Sequence, residues 1–323
     1  MMSLAIVILN YRTPAYVTDC LQSLAAERDA GASFSAVVVD NASGDDSADR
    51  IEEAIRARGW SAWARVVRSP RNGGFSAGNN VGMHAVQAEA YLLLNSDTLV
   101  RSGAIDRLVR EMREHPDAGL IGPGLEWPDG KRQNSAFNFP TPLTEFLRVA
   151  GTGAFDRLLR RHVTAMPLAQ VPPEVDWVSF AAVLIPRAVI EQVGPMDEGY
   201  FMYFEDIDYA RRVRSAGWKV RYCPEARIVH LRGGSSPVKS LAAERKPLPA
   251  YWYAARARYF AKFYGRMGLW LANLCWLLGR CVSRCREILE RRGSHIPQGQ
   301  LRAIWRHAWR PLASPAASEG GAA

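Results

Sequence analysis

Three carboxylates fall within four positions of the stretch "GYFMYFEDIDYARRVRSAGW", residues 199–218, directly after a run of aromatics. Glu205, Asp206 and Asp208 lead into a helical pattern from Ile207 to Ala216. Acids at a helix start can simply complement its dipole. A carboxylate set in an apolar wall can instead act as a general base. A second stretch, "LLLNSDT" (92–98), delivers Asp97 from an apolar run, flanked by Asn95 and Ser96. Burying that acid is costly without a partner. One partner is a hard divalent cation, Mg²⁺ or Mn²⁺, bridging two phosphates; another is a helix beginning near Ser102. A third stretch, "SPRNGGFSAGNNVGM" (69–83), carries Gly73, Gly74, Gly78 and Gly82. No Lys-Ser/Thr pair follows these glycines, so they do not form a P-loop. They follow a third strand rather than a first, so they are not a dinucleotide fingerprint. Close backbone approach to a ligand and close helix packing both remain open for them.

The elements that must position these residues alternate. "LAIVILN" (4–10), "SAVVVD" (35–40), "ARVVRS" (64–69) and "AYLLLNSD" (90–97) read as buried parallel strands. Helical patterns lie between them at about 15–29, 47–58 and 76–88. This βαβαβαβ order predicts an open α/β sheet of Rossmann-like winding. Asn10, Asp40 and Asp97 stand at strand ends. Ligands bind at the carboxyl ends of such strands, so the three should converge on one crevice. From about 118 the order shifts to shorter strands of a mixed sheet, with a long irregular or helical insert between 141 and 172. "KVRYC" and "ARIVHL" close the domain before a boundary near 240–250.

Charge divides unevenly. The 323-residue chain carries a net +9, yet residues 251–310 hold twelve Lys/Arg against Glu287 and Glu290, a net +10. Residues 1–250 balance to zero. The basicity therefore belongs to the C-terminal segment. There, Trp252, Tyr259, Phe260, Phe263, Met267, Trp270, Leu271, Leu274, Leu278, Cys281, Cys285 and Ile288 repeat at steps of three and four, as one apolar face of a long helix or helix pair. Such a helix suits docking on a domain, or an anionic membrane surface. No nucleic-acid-binding motif accompanies the charge. The longest uncharged stretch there, 267–279, has thirteen residues, too short to span a bilayer. Five cysteines without disulfide or metal spacing fit a reducing compartment, and the first residues read as a buried strand rather than a secretory leader.

Taken in order, "VILNYRT", "VVVDNASGD", "RNGGFSAGNNVG", "LLLNSDT", "GPMDEGYFMYFEDIDYARRVRSAGW" and "IVHLRGGSS" resemble family 2 glycosyltransferases of the GT-A fold, in particular a bacterial rhamnosyltransferase-like branch. The likeness runs over residues 4–236. It implies a catalytic domain at 1–245, with a nucleotide-sugar-binding half at 1–100 and an acceptor and catalytic half at 101–245. A basic amphipathic helical extension would follow at 246–310, then a disordered tail at 311–323.

The resemblance also implies roles. Asn10, Asp40, Asn72, Gly73, Gly74, Asn79, Ser96 and Asp97 would bind the nucleotide-sugar, Asp40 accepting from a pyrimidine nitrogen. Asp97 is the last acid of a DxD-type motif whose first acid is Asn95 here. Asp97 and His230 would hold Mg²⁺ or Mn²⁺. Asp206 would be the catalytic base of an inverting transfer, with Glu205 beside it. Trp177, Tyr203 and Phe204 would face the acceptor.

The implied reaction moves a sugar, L-rhamnose from dTDP-L-rhamnose being one candidate, onto a lipid-linked or surface-polysaccharide acceptor. A UDP-hexose donor is the same-class alternative; a nucleotidyltransferase or a non-catalytic sugar-binding module are the different-class ones. The expected setting is cytoplasmic and peripheral, on the inner face of the cytoplasmic membrane through residues 251–310. No nucleic-acid partner is expected, and an oligomer is left open.

Overall fold

The computed structural model describes residues 3–232, 237–291 and 293–313. In chain order the elements begin β1 (Leu4–Asn10), α1 (Pro14–Asp29), β2 (Ser35–Asp40), α2 (Ser47–Ala57), β3 (Ala64–Arg68), α3 (Gly74–His84) and β4 (Ala90–Asn95). They continue with β5 (Thr98–Val100), α4 (Ala104–Glu114), β6 (Ala118–Glu126), β7 (Ala136–Phe137), α5 (Pro142–Ala150), α6 (Gly153–Leu158) and β8 (Trp177–Val178). The last are β9 (Ala182–Pro186), α7 (Arg187–Val193), α8 (Glu205–Ser215), β10 (Lys219–His230), α9 (Val238–Ala243), α10 (Ala250–Leu289) and α11 (Gln300–Arg306).

The chain packs as two compact units. The first comprises 1–137, 167–198 and 205–235; the second comprises 138–166, 199–204 and 236–323. A division at residue 245 would leave 138–166 and 199–204 with the sheet, whereas their packing groups them with the C-terminal helices.

In the first unit, eight strands form one sheet in the order β3-β2-β1-β4-β9-β6-β10-β5. β1, β2, β3 and β4 are mutually parallel, and β9 runs antiparallel between β4 and β6. The sheet is therefore mixed. Winding runs from β1 out to β3 and then returns to the other side of β1 with β4. That reversal is a topological switch point, where strand ends splay around a crevice.

The continuous apolar strands are explained by burial on both faces. Ile6, Ile8 and Val38 join Leu21, Leu24 and Ile51 in the main core. Val7, Leu9 and Val39 face α3, where a β-carbon on Gly82 would lie 2.3 Å from Val7 Cγ1 and one on Gly78 would lie 2.2 Å from Leu9 Cδ1. Each fully buried aliphatic side chain of this strand layer contributes about 1.5–3 kcal/mol.

"KVRYC" and "ARIVHL" form one strand, β10, rather than two. Its register against β6 breaks between Cys223 and Arg227. Pro224 stands in that break, lacking the N–H that a regular ladder needs.

In the second unit, Arg256 on α10 is wholly buried and donates to Glu145 on α5 (2.9 Å) and to Asn273 (2.8 Å). Tyr253, Trp276, Val149 and Ile304 pack around this polar core. Tyr203 stacks on Tyr251 at 6.5 Å between ring centroids, and Phe204 meets Tyr259 at 5.5 Å. Tyr203 and Phe204 both take left-handed backbone angles, φ 73 and 66.

The apolar face read from the C-terminal sequence, on a long helix or a helix pair, is carried by two helical segments joined at a break. At Gly265 the backbone leaves the helix (φ 69, ψ 177) and resumes beyond it. Before the break Tyr259 and Phe260 are buried; after it Leu269, Ala272, Asn273, Cys275, Trp276, Gly279, Ser283 and Glu287 are buried. Met267 (82 %), Leu271 (51 %), Leu278 (61 %) and Ile288 (64 %) are exposed. The kink rotates the second half, so a stripe continuous in sequence changes environment partway along. Among the described residues no helix is long and apolar enough to cross a membrane.

Candidate active site at the strand ends

The first unit supplies the sequence-predicted polar strand ends. Asn10 and Asp40 are register partners on β1 and β2, and Asn10 Nδ2 donates to Asp40 Oδ1 at 2.7 Å. Ser43 adds its hydroxyl (2.5 Å) and its backbone N–H (3.2 Å) to the same carboxylate. The Asn10 side-chain oxygen accepts from the Thr13 N–H and hydroxyl at 3.1 and 3.2 Å. Asn10 is thus fully engaged by protein, and its physical part is to orient Asp40. Ser43 was not singled out from sequence; its only signal was the turn "NASGD" after the strand.

The glycine-rich loop divides by function. Gly78 and Gly82 serve helix packing against β1 and β2. Gly74, at φ +82, uses a conformation open to glycine. Asn72 Oδ1 accepts from the Gly74 N–H (3.1 Å) and from Asn41 Nδ2 (2.9 Å), which ties the loop to the end of β2. Gly73 opens α3. The Asn79 amide donates to the Phe75 carbonyl of its own helix (2.9 Å). Its neighbour Asn80 instead reaches the 196–198 segment, bonding Met196 N and O, each at 3.0 Å, and Glu198 Oε1 at 3.1 Å. Asn41 and Asn80 were missed in the sequence because a polar side chain's distant partner leaves no local trace.

Asp97 follows β4 in a tight connection to β5. It does not cap the helix beyond. Glu27 does that, accepting from Gly103 N–H (2.8 Å) and Ile105 N–H (3.3 Å). Asp97 is buried, and its Oδ1 lies 3.5 Å from His230 Nε2 at the end of β10. The Leu231 N–H donates to the Asp97 carbonyl (2.9 Å), fastening the two strand ends together. Ser96 Oγ pairs with Thr13 Oγ1 at 3.1 Å. One buried carboxylate oxygen and one imidazole nitrogen, 3.5 Å apart, are the donors this corner offers to a divalent cation. The donor set is small, since Asn95, two positions earlier, brings no carboxylate.

Asp206 and Glu205 open α8. Asp206 is partly buried, and its carboxylate accepts from the Ile207 N–H (2.9 Å) and from the backbone of Phe180. Burial outweighs these amides and pushes its pKa up to about 7. Glu205 is raised well above the usual carboxylate range, first by burial and then by the charge of Asp206. Its buried Oε2 has no hydrogen-bond partner among the described residues. Asp208 is buried but bound to Arg212 Nε at 2.8 Å, an ordinary i,i+4 ion pair. The neighbouring Ala181 carbonyl accepts the Asn95 N–H at 2.9 Å, so the Phe180–Ala181 segment links Asp206 to the end of β4.

Of the three residues expected on the acceptor side, Trp177 lies in this unit. It is buried and stacked on Phe137 at 4.3 Å. Tyr203 and Phe204 belong to the second unit, where they pack on Tyr251 and Tyr259.

Residues 2–253 match the family described as "Glycosyltransferase like family 2". An N-acetylglucosaminyl-diphospho-decaprenol L-rhamnosyltransferase of Mycobacterium tuberculosis is 31% identical over 193 residues, which cover 58% of this chain and 59% of that protein. The match thus spans about three fifths of that relative's length. The low-salt glycan biosynthesis hexosyltransferase Agl10 of Haloferax volcanii is 25% identical over 233 residues, 70% of this chain and 66% of that one. Among solved structures, the mannosyltransferase PcManGT from Pyrobaculum calidifontis, in complex with GDP-Man and Mn²⁺, superposes with a TM-score of 0.57 at 14% identity, covering 96% of this chain and 81% of that one. S. aureus TarS gives a TM-score of 0.55 at 15% identity, over 96% of this chain and 48% of its own. At those identities the likeness speaks for the fold, GT-A, and the chain belongs to glycosyltransferase-like family 2, with bacterial rhamnosyltransferases among its relatives.

Proposed function

We propose that this chain transfers a sugar, with inversion, from a nucleoside-diphosphate donor to a hydroxyl of a lipid-linked or surface-polysaccharide acceptor, and that L-rhamnose from dTDP-L-rhamnose is the donor to test first. The observation that carries the reading is Asp206: a partly buried acid with its pKa raised to about 7, tied through Phe180–Ala181 to the strand end that presents Asp97. A base working near neutral pH needs such a value. The Asp206 carboxylate takes the proton of the acceptor hydroxyl. That oxygen's electron pair forms the new bond at the anomeric carbon, while the bond to the diphosphate breaks and its pair leaves with the nucleoside diphosphate. Asp40, held by Asn10 and Ser43, orients the nucleotide base. Asp97 and His230 would hold Mg²⁺ or Mn²⁺, which when bound offsets charge on the leaving diphosphate.

The second unit supports a peripheral membrane setting. Its exposed stripe of Met267, Leu271, Leu274, Leu278 and Ile288 lies in a segment of net +10. An apolar stripe with flanking cations suits anionic lipid, and like charges beside the stripe oppose pairing of two copies along it.

A donor panel tests the reaction. dTDP- and UDP-sugars are incubated with a lipid-linked saccharide, with and without Mn²⁺, and the product's anomeric configuration is read by NMR. Retention at the anomeric carbon would exclude the mechanism, and turnover of UDP-hexoses alone would replace the donor.

A further inference from the structure

We propose that Arg232 contacts the diphosphate of the donor and supplies, from the chain itself, part of the positive charge that a fuller acidic motif would recruit as metal. The inference rests on the reading of the Asp97 region as the diphosphate site. The Leu231 N–H, just past the end of β10, is bonded to the Asp97 carbonyl, so residue 232 follows one position beyond that bond to the buried acid. Arg232 does so with a left-handed backbone, φ 59, a conformation that a long L side chain rarely adopts. A non-glycine residue held that way next to a candidate site points to a positional requirement on its side chain.

That side chain is gripped from behind. Gln133 is buried, and its amide nitrogen donates to two carbonyls, His230 O at 2.7 Å and Glu126 O at 3.0 Å. Those bonds fix which end of the amide faces Arg232, and the Gln133 oxygen accepts the Arg232 Nε–H. The guanidinium carbon sits over the Trp127 ring, 5.2 Å from its centroid. Asp97 also acts on it electrostatically. Nε and one face are therefore committed, while the two terminal Nη groups have no hydrogen-bond partner among the described residues. Those groups form the fork that matches a phosphate. The adjoining motif has one acid where Asn95 stands in for another, so a cation there is held by fewer charges. An arginine fixed beside that acid would neutralise phosphate without needing the ion.

The test is calorimetry on the full chain with three probe levels, nucleoside, nucleoside monophosphate and nucleoside diphosphate, in the thymidine and uridine series. Each is measured in EDTA and in Mn²⁺, for wild type, Arg232→Gln, Arg232→Lys and Asp97→Ala. A lost charge-assisted hydrogen bond weakens binding about 10- to 100-fold. The expected result is a loss of that order for diphosphate in Arg232→Gln, largest in EDTA, with nucleoside affinity unchanged and Arg232→Lys intermediate. Diphosphate binding by Arg232→Gln equal to wild type in EDTA overturns the inference while leaving the site reading intact, provided Asp97→Ala still loses metal-dependent binding. A parallel loss of nucleoside affinity, or a lowered melting temperature shared by both Arg232 variants, makes Arg232 a structural brace and also overturns it. Absence of diphosphate binding by wild type in both conditions overturns the inference and the site reading together.

Discussion

At the residue scale the informative feature is the contrast among three neighbouring acids. Asp208 is neutralised by Arg212, whereas buried Glu205 and partly buried Asp206 have no such basic partner among the described residues and are raised in pKa. Asp206→Asn should lower the transfer rate by about 10²–10⁴-fold while leaving donor affinity within a few-fold, because the amide keeps the shape but cannot take the proton. Steady-state rates and calorimetry check the two halves separately, and a variant retaining a tenth of the activity would remove Asp206 from the role. The wild-type rate should rise with pH through about 7, as Asp206 loses its proton. Stability should move the other way. A carboxyl whose folded pKa is raised binds more protons folded than unfolded, so its stabilising contribution is complete below the unfolded value near 4 and is lost as pH rises through about 7. Denaturant titrations at several pH values should show this decline, and Asp206→Asn should flatten it.

Elements are held in place by contacts that allow little substitution. Alanine at Gly82 would gain up to about 1 kcal/mol of helix propensity in α3. The added methyl would stand 2.3 Å from Val7 Cγ1 and 3.0 Å from Val39 Cγ2, on two buried β-branched side chains with little freedom to turn. Overpacking of this kind costs about 1–3 kcal/mol, so Gly82→Ala should be net destabilising. Thermal melting checks the sign. In the second unit, Glu145 is buried, yet Arg148 and Arg256 outweigh that burial and hold its pKa down at about 2. Glu145→Gln leaves Arg256 buried against an uncharged partner and should cost about 3–5 kcal/mol in chemical denaturation. The sign with pH is opposite to that of Asp206: this ion pair's contribution is present above the unfolded glutamate value of about 4.5 and is lost as pH falls toward about 2.

For the whole molecule, the separation of a charge-balanced catalytic sequence from a segment of net +10 gives a prediction about vesicles. The full chain should float with anionic vesicles, with attraction of about 1 kcal/mol per basic side chain near the surface. Binding should weaken as salt shortens the Debye length. Not every cation in the segment is available, since Arg256 pairs with Glu145 and Arg280 with Glu287. Replacing Leu271, Leu274 and Leu278 by serine alters only exposed positions, so it should reduce flotation without unfolding the unit. Flotation unchanged by those substitutions, or absent with anionic vesicles, would point to a contact between copies instead.

Features that depend on local pattern can be read from the string of residues. The first four strands were legible to within a residue or two because a run such as "AYLLLN" has few places to go but a two-faced core. The same reasoning placed Asn10, Asp40 and Asp97 at strand ends, and the motifs in order carried the family. Tertiary structure decided what depends on partners distant in sequence. Glu27, 76 residues before Gly103, caps α4 and so frees Asp97 for His230. Asn80 rather than Asn79 reaches across to Met196 and Glu198, although adjacent asparagines look alike in a string. The apolar repeat at 252–288 reads as one face, yet a single non-helical residue, Gly265, turns its two halves into different environments. Periodicity reports the angle between successive side chains, not what lies opposite them; only the folded chain supplies the opposing surface.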